Sequence, residues 1–321
     1  MKPILDIQNL KVHFKTDAGT VRAVDGVDLQ VNAGETLGLV GESGCGKSVT
    51  SLSMMRLLSE KTDITGKIFF SGENILEKSE REMQAIRGNK ISMIFQDPMT
   101  SLNPVLTIAE QIEEVIKYHQ GGTRKDIQAR AVEMMDLVKI PDGERRIHEY
   151  PHQMSGGIRQ RIMIAMALAC KPEMLIADEP TTALDVTVQA QILALIRELQ
   201  VQFKTAVLLI THDLGVVAQV ADKIAVMYAG QIVEYASAKE LFYSPKHPYT
   251  KGLLDTIPRI DREDKELKEI KGMVPDLSQD FKGCRFYPRC PKATDQCCRK
   301  EIELIEIGKT RVRCLLYSDR S

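Results

Sequence analysis

The sequence has no run of about 18 apolar residues, the length a helix needs to cross a bilayer, so no membrane span is expected. Residues 1–14, MKPILDIQNLKVHF, lack the long apolar core and small-residue cleavage site of a signal peptide. A cytosolic chain is therefore expected. The charges nearly cancel, to a formal net charge of −1, which argues against a strongly basic face. No nucleic-acid partner is expected. Internal repeats of about 20–50 residues are absent, which excludes solenoid and propeller architectures. Cysteine is almost missing from most of the chain: only Cys45 and Cys170 precede residue 283. Then Cys284, Cys290, Cys297, Cys298 and Cys314 crowd into the last 40 residues. In a reducing compartment such a cluster points to a metal or redox site rather than a disulfide framework.

What is present is ordinary soluble-protein material. The 321 residues are 43% hydrophobic and 27% charged, enough for one large domain or two smaller ones. Residues 4–14 and 21–31 read as strands of a partly antiparallel sheet. TLGLV (36–40), MLIAD (174–178) and AVLLI (206–210) are short apolar runs that suit strands buried on both faces. Residues 224–236 read as a hairpin turning at Ala229-Gly230. Between the strands lie helical stripes. Ile127, Ala131, Met134, Met135 and Val138 share one face, and Val188, Ile192, Leu195, Ile196 and Leu199 share another. Residues 97–170 read as mainly helical. After residue 236 proline and charge become frequent.

GESGCGKS (41–48) has the form G-x-x-x-x-G-K-[ST] between a buried strand and an apolar helix. That context is the one phosphate binding requires. Glycines let the backbone wrap closely around phosphates, and the following helix adds the positive end of its dipole. Gly41, Ser43, Gly44, Gly46, Lys47, Ser48 and Val49 are the expected nucleotide contacts. Lys47 would reach the terminal phosphates and Ser48 would ligate Mg²⁺. Cys45 lies beside a helix N-terminus that stabilises a thiolate; any small residue would serve there for native function, yet a bulky thiol reagent is expected to inhibit ATP hydrolysis and bound Mg-ATP to protect. At the end of the strand 174–178, two adjacent carboxylates divide the labour. Asp178 holds Mg²⁺ through its water shell, and Glu179 polarises the attacking water as general base. His212 follows another buried strand, where contact with a γ-phosphate is expected. In SGG (155–157), Ser155, Gly156 and Gly157 open a helix and offer N–H groups and a hydroxyl to an anion.

The order of these features resembles that of the ATP-binding cassette (ABC) ATPases. It runs from the loop at 41–48 through Gln96 in FQDP, SGG at 155–157, ADEP at 177–180 and ALD at 183–185 to His212. Ile158 stands where that family most often has Gln. The resemblance implies an α/β fold: an ABC-type P-loop nucleotide-binding domain with a mixed sheet core, an antiparallel subdomain and a helical subdomain. It implies ATP and Mg²⁺ as cofactors and Gln96 as a contact of both Mg²⁺ and the attacking water. Phe14 falls where the family stacks an aromatic ring on adenine, and a core role is equally open. The family forms head-to-tail dimers, each ATP lying between one loop and the partner's SGG, with Asp185 acting across the interface.

Residues 244–258, FQDPMTSLNPVLTI and HEYPHQMSGGIRQRIMIAMALA resemble ATPase subunits of dipeptide and oligopeptide importers. That similarity implies a cassette over 1–236 and an extension over 237–321. The partners it implies are a second, different ATPase chain, two membrane permease subunits and an extracytoplasmic peptide-binding protein. The chain would sit peripherally on the cytoplasmic face of the inner membrane. Nickel or glutathione import, and a soluble ATPase acting in repair or cluster assembly, are the alternatives.

The cysteine spacing, Cys284-x₅-Cys290-x₆-Cys297-x₁₆-Cys314, suits either zinc or an iron–sulfur cluster. The missing C-x₂₋₄-C pairs argue against zinc. The resemblance implies a 4Fe-4S cluster, with Cys297 preferred over Cys298 as third ligand. The tail is expected to fold around that cross-link as a region separate from the phosphate loop, so that ATP hydrolysis is indifferent to it.

Overall fold

The structure, a computed structural model, describes residues 2–17, 19–182, 184–257 and 269–320. By their contacts they form two units. One comprises residues up to 4, 31–35 and 77–210; the other comprises 5–30, 36–76 and 211 onward.

The first unit carries the parallel strands Ile91–Ile94, Met174–Asp178 and Ala206–Thr211, in register as Ile91↔Met174 and Met174↔Ala206. MLIAD is buried at all five positions, so neither face meets water, as a continuous apolar run requires. The helices Ile108–His119, Arg124–Leu137 and Gly156–Leu168 fill the region read as helical. The first two begin in reciprocal capping boxes, Thr107 with Glu110 and Thr123 with Asp126, each satisfying two otherwise orphaned N–H donors. The face of Ile127, Ala131, Met134, Met135 and Val138 is buried as expected. In Val186–Phe203 the buried face is Ile192, Leu193, Leu195, Ile196 and Leu199, while Val188 is only half-buried.

The second unit holds two sheets. One runs in the order Gly19–Val31, Leu5–Thr16, Asp63–Phe70, Glu73–Asn74. Its antiparallel pair Leu5–Thr16 and Asp63–Phe70 carries a bulge between Gln8 and Lys11. The other is mixed. Thr36–Val40 pairs in parallel with Lys223–Tyr228, which turns back antiparallel into Gln231–Ser237. The hairpin turns at Ala229-Gly230, as its sequence predicts. A terminal hairpin, Ile305–Ile307 with Thr310–Val312, then adds to Gln231–Ser237 through Glu234↔Val312.

The tail does not fold as a separate region. Tyr249 and Phe286 are buried in the same core as Val40, Leu214, Ile224 and Tyr228, and Cys284 and Cys290 pack against that core. The Phe286 ring lies 5.2 Å from Tyr228 and 5.3 Å from Tyr249. Burying one such aromatic contributes about 1.5–3 kcal/mol. The expectation of independence fails because the tail's aromatics find their apolar partners in the hairpin Lys223–Ser237.

Candidate nucleotide site

Thr36–Val40 delivers the chain into the glycine loop, and the helix Lys47–Met54 leaves it. Gly46 holds φ at 108°, and a Cβ there would stand 2.3 Å from the Ala23 carbonyl oxygen, so no side chain fits. Lys47 is buried, its Nζ donating to the Gly41 carbonyl at 2.8 Å and the Glu42 carbonyl at 3.0 Å. The hairpin braces the loop from behind: the Gly230 N–H donates to the Cys45 carbonyl at 2.8 Å. Ser43, Gly44 and Ser48 are exposed, and Val49 is half-buried. Cys45 fits the reading as a small packing residue, and its expected reactivity meets an obstacle. Its side chain is buried, and burial pushes the thiol up, outweighing the pull of Lys47. It is a packing residue and not an activated thiolate.

In the same unit, His212 is exposed between the strand Ala206–Thr211 and the helix Leu214–Val220. Asp213 caps that helix, accepting from the Gly215 N–H at 2.7 Å. Phe14 is half-buried near the end of Leu5–Thr16.

In the first unit, Asp178 ends its strand, buried, and Glu179 follows with φ at 46°. Such a left-handed glutamate is uncommon and costs about 1–3 kcal/mol, a cost typical of functional sites. Two side chains hold its carboxylate at Oε2: the Gln96 amide donates at 3.1 Å and the Thr182 hydroxyl at 2.9 Å. The fold thus brings Gln96 to Glu179, 83 residues away in sequence. Ser155 is the N-cap of Gly156–Leu168, yet its side chain makes no cap bond to its own helix. Gly157 packs so closely on Val188 that a Cβ would come within 2.9 Å of it. Asp185 caps Val186–Phe203 through the Val188 N–H at 2.9 Å. Its neighbour Ala183, within ALD, lies outside the described residues.

In the tail, the Cys284 thiol is pushed up to about 12, first by burial and further by Cys314, Cys290 and Cys297. Burial likewise raises Cys314, with Cys290 and Cys297 adding to the rise, and raises Cys290, with Cys297 adding. Cys284, Cys290 and Cys314 therefore each feel a neighbouring thiol, Cys297 in every case. Cys298 is exposed, its Sγ donating to the Asp295 carbonyl at 3.3 Å. Among the described residues, no three His, Cys, Asp or Glu side chains are placed to hold a single metal ion.

Three residues escape a motif search: Thr182, Tyr249 and Arg289. Thr182 repays reading one turn past the DE pair. No local signal marks Tyr249 or Arg289.

The ABC transporter family matches residues 24–182, and the oligopeptide/dipeptide transporter C-terminal region matches 233–297. The chain is 54% identical to the dipeptide transport ATP-binding protein DppD of Bacillus subtilis, covering 100% of this chain and 97% of that protein. It is 52% identical to the oligopeptide transport ATP-binding protein OppD of Haemophilus influenzae, covering 92% of each. A dimeric ATP-binding cassette in a post-hydrolysis state, bound to ADP and phosphate, superposes with a TM-score of 0.65 at 28% identity, over 73% of this chain and 98% of that one. The chain belongs to the ABC transporter family, among its peptide-transport ATP-binding proteins.

Proposed function

We propose that the chain is the ATP-hydrolysing subunit of an ABC importer of dipeptides or oligopeptides. Similarity to peptide-transport proteins over 92–100% of the chain favours this cargo over nickel or glutathione, and transport over a soluble role. The cassette over 1–236 pairs head to tail with a second, different ATPase chain; a dimeric structural relative supports the pairing itself. Two permeases and an extracytoplasmic binding protein complete the importer. The chain docks peripherally on the permeases at the cytoplasmic membrane face. No helix among the described residues is long and apolar enough to cross a membrane.

One observation carries the hydrolytic reading: the strained Glu179, its carboxylate held by Gln96 and Thr182. There it orients a water and accepts its proton. Lys47 and the loop N–H groups bind the phosphates, with Gly41, Ser43, Gly44, Gly46 and Val49 shaping the cradle. Ser48, Gln96 and Asp178 offer the hard oxygen donors that suit Mg²⁺. His212 senses the γ-phosphate. Phe14 stacks on adenine. Ser155, Gly156 and Gly157 close over the partner's ATP, a role that fits the uncommitted Ser155 cap. Glu179→Gln keeps the shape and loses the base. ATP binding should persist while hydrolysis falls about 10²–10⁴-fold. Hydrolysis at the wild-type rate would remove Glu179 from this role.

Cys284, Cys290, Cys297 and Cys314 suit a 4Fe-4S cluster better than zinc. Cys284, Cys290 and Cys314 are raised first by burial and further by neighbouring thiols, Cys297 among them, a setting that favours a compensating cation. The spacing lacks the C-x₂₋₄-C pairs that zinc sites favour. The cluster's chemistry here is cross-linking. Protein purified without oxygen should be brown and contain iron and acid-labile sulfide, and Cys290→Ser should bleach it. Stoichiometric zinc without iron would reverse the assignment.

A further inference from the structure

Beyond its internal hydrogen bonds, the phosphate loop is gripped by the tail. Its second residue, Glu42, is engaged at three points. The Glu42 N–H donates to the Tyr249 hydroxyl at 3.0 Å. Its carboxylate accepts from Arg289 Nη1 at 2.8 Å. Its carbonyl accepts from Lys47 Nζ at 3.0 Å. Two of these partners lie beyond residue 237, and the third is the loop's own lysine.

Neither tail residue is free to drift. The Arg289 side chain is 5% exposed. Its Nε donates to the Lys271 carbonyl at 3.1 Å and its Nη2 to the Ile270 carbonyl at 2.9 Å. Its Nη1 also lies 3.3 Å from the Tyr228 hydroxyl. Tyr249 is fully buried, its ring 4.6 Å from that of Tyr228. A rigid arginine and a rigid tyrosine therefore fix both the position and the charge of Glu42.

The charge matters because a carboxylate in a loop built for polyphosphate has the wrong sign. Its influence already reaches the loop interior, where it adds to the burial-driven rise of the Cys45 thiol. Uncompensated, it would oppose an incoming triphosphate. Arg289 supplies the opposite charge at contact distance, in a largely desolvated setting where salt screens it little.

We infer that Arg289 and Tyr249 are positioning residues for nucleotide binding: they seat Glu42 and cancel its charge, so the tail sets the loop's affinity for a nucleoside triphosphate. This rests on reading residues 41–48 as the phosphate site. Neither residue touches nucleotide in this role; both act through Glu42.

Titration of full-length protein with Mg-ATP, together with steady-state hydrolysis, tests it. Arg289→Ala should raise the Kd on the order of tenfold, the effect of one unpaired charge near the ligand. The KM for ATP should rise with it while kcat changes much less. The double variant Glu42→Gln/Arg289→Ala has no charge left to cancel and should recover most of the lost affinity. Arg289→Gln, closer in shape, carries the same comparison should the alanine variant not fold. Tyr249→Phe keeps the ring packing and orphans the Glu42 N–H, and should raise KM severalfold. A double variant no better than the single one would reduce Arg289 to a packing role and overturn the inference. So would wild-type affinity in Arg289→Ala and Arg289→Gln. Wild-type protein that binds no ATP would instead remove the phosphate-site reading, and this inference with it.

Discussion

Glu179 and His247 show how differently single residues declare themselves. The DE pair is visible in the sequence because an apolar run ends in two acids. Its left-handed backbone is not, since nothing in the residue type encodes φ. The glycine loop was legible for the opposite reason: only glycine fits beside the Ala23 carbonyl, so the residue type records the geometry. The Glu42–Arg289 pair spans 247 positions and leaves no local trace. His247 is fully buried, its Nδ1 accepting from the Tyr249 N–H at 3.0 Å and its Nε2 without a hydrogen-bond partner. Burial drives its pKa down to about 3. The unfolded value is about 6.5. Between those values the unfolded chain takes up a proton that the folded chain refuses. This stabilisation is therefore complete above about pH 6.5 and declines as pH falls toward 3, by up to about 1.4 kcal/mol per pH unit. Urea melts at pH 7 and pH 5 should show the loss. His247→Asn can still cap its helix and should lose less between those two pH values. An equal loss in both proteins would place the titration elsewhere.

At the scale of elements, legibility followed length and burial. TLGLV and MLIAD coincide with their strands because both faces are apolar and polar residues bound them. The strand Asp63–Phe70 escaped notice: its first half is largely exposed, and only Ile68 and Phe70 are buried. The terminal strands are three residues each, too short for any period to register. The cysteine region owes its path to close backbone approach rather than to regular structure. A Cβ on Gly283 would stand 2.3 Å from the Cys297 carbonyl oxygen, and the Cys284 N–H donates to that oxygen at 2.7 Å. One glycine thus lets two stretches carrying ligand candidates lie side by side. Spacing alone gave the four thiols but not that contact.

For the whole molecule, the terminal hairpin has a consequence for the sheet's free edge. Without it, the outermost strand at this side would be the seven-residue Gln231–Ser237, its backbone edge unpaired along its length. With it, the free edge is Ile305–Ile307, three residues with a central, exposed Glu306. A long apolar edge is a template for pairing with another chain, whereas a short charged one is not. The tail therefore guards against self-association as well as steadying the nucleotide loop. A chain cut after Leu304, which loses the hairpin but keeps Tyr249 and Phe286 in the core, should form oligomers and aggregates at concentrations where the full-length protein does not, as light scattering and sedimentation would register. A cut chain that stays as dispersed as the full-length protein would show that the hairpin's pairing serves shape alone.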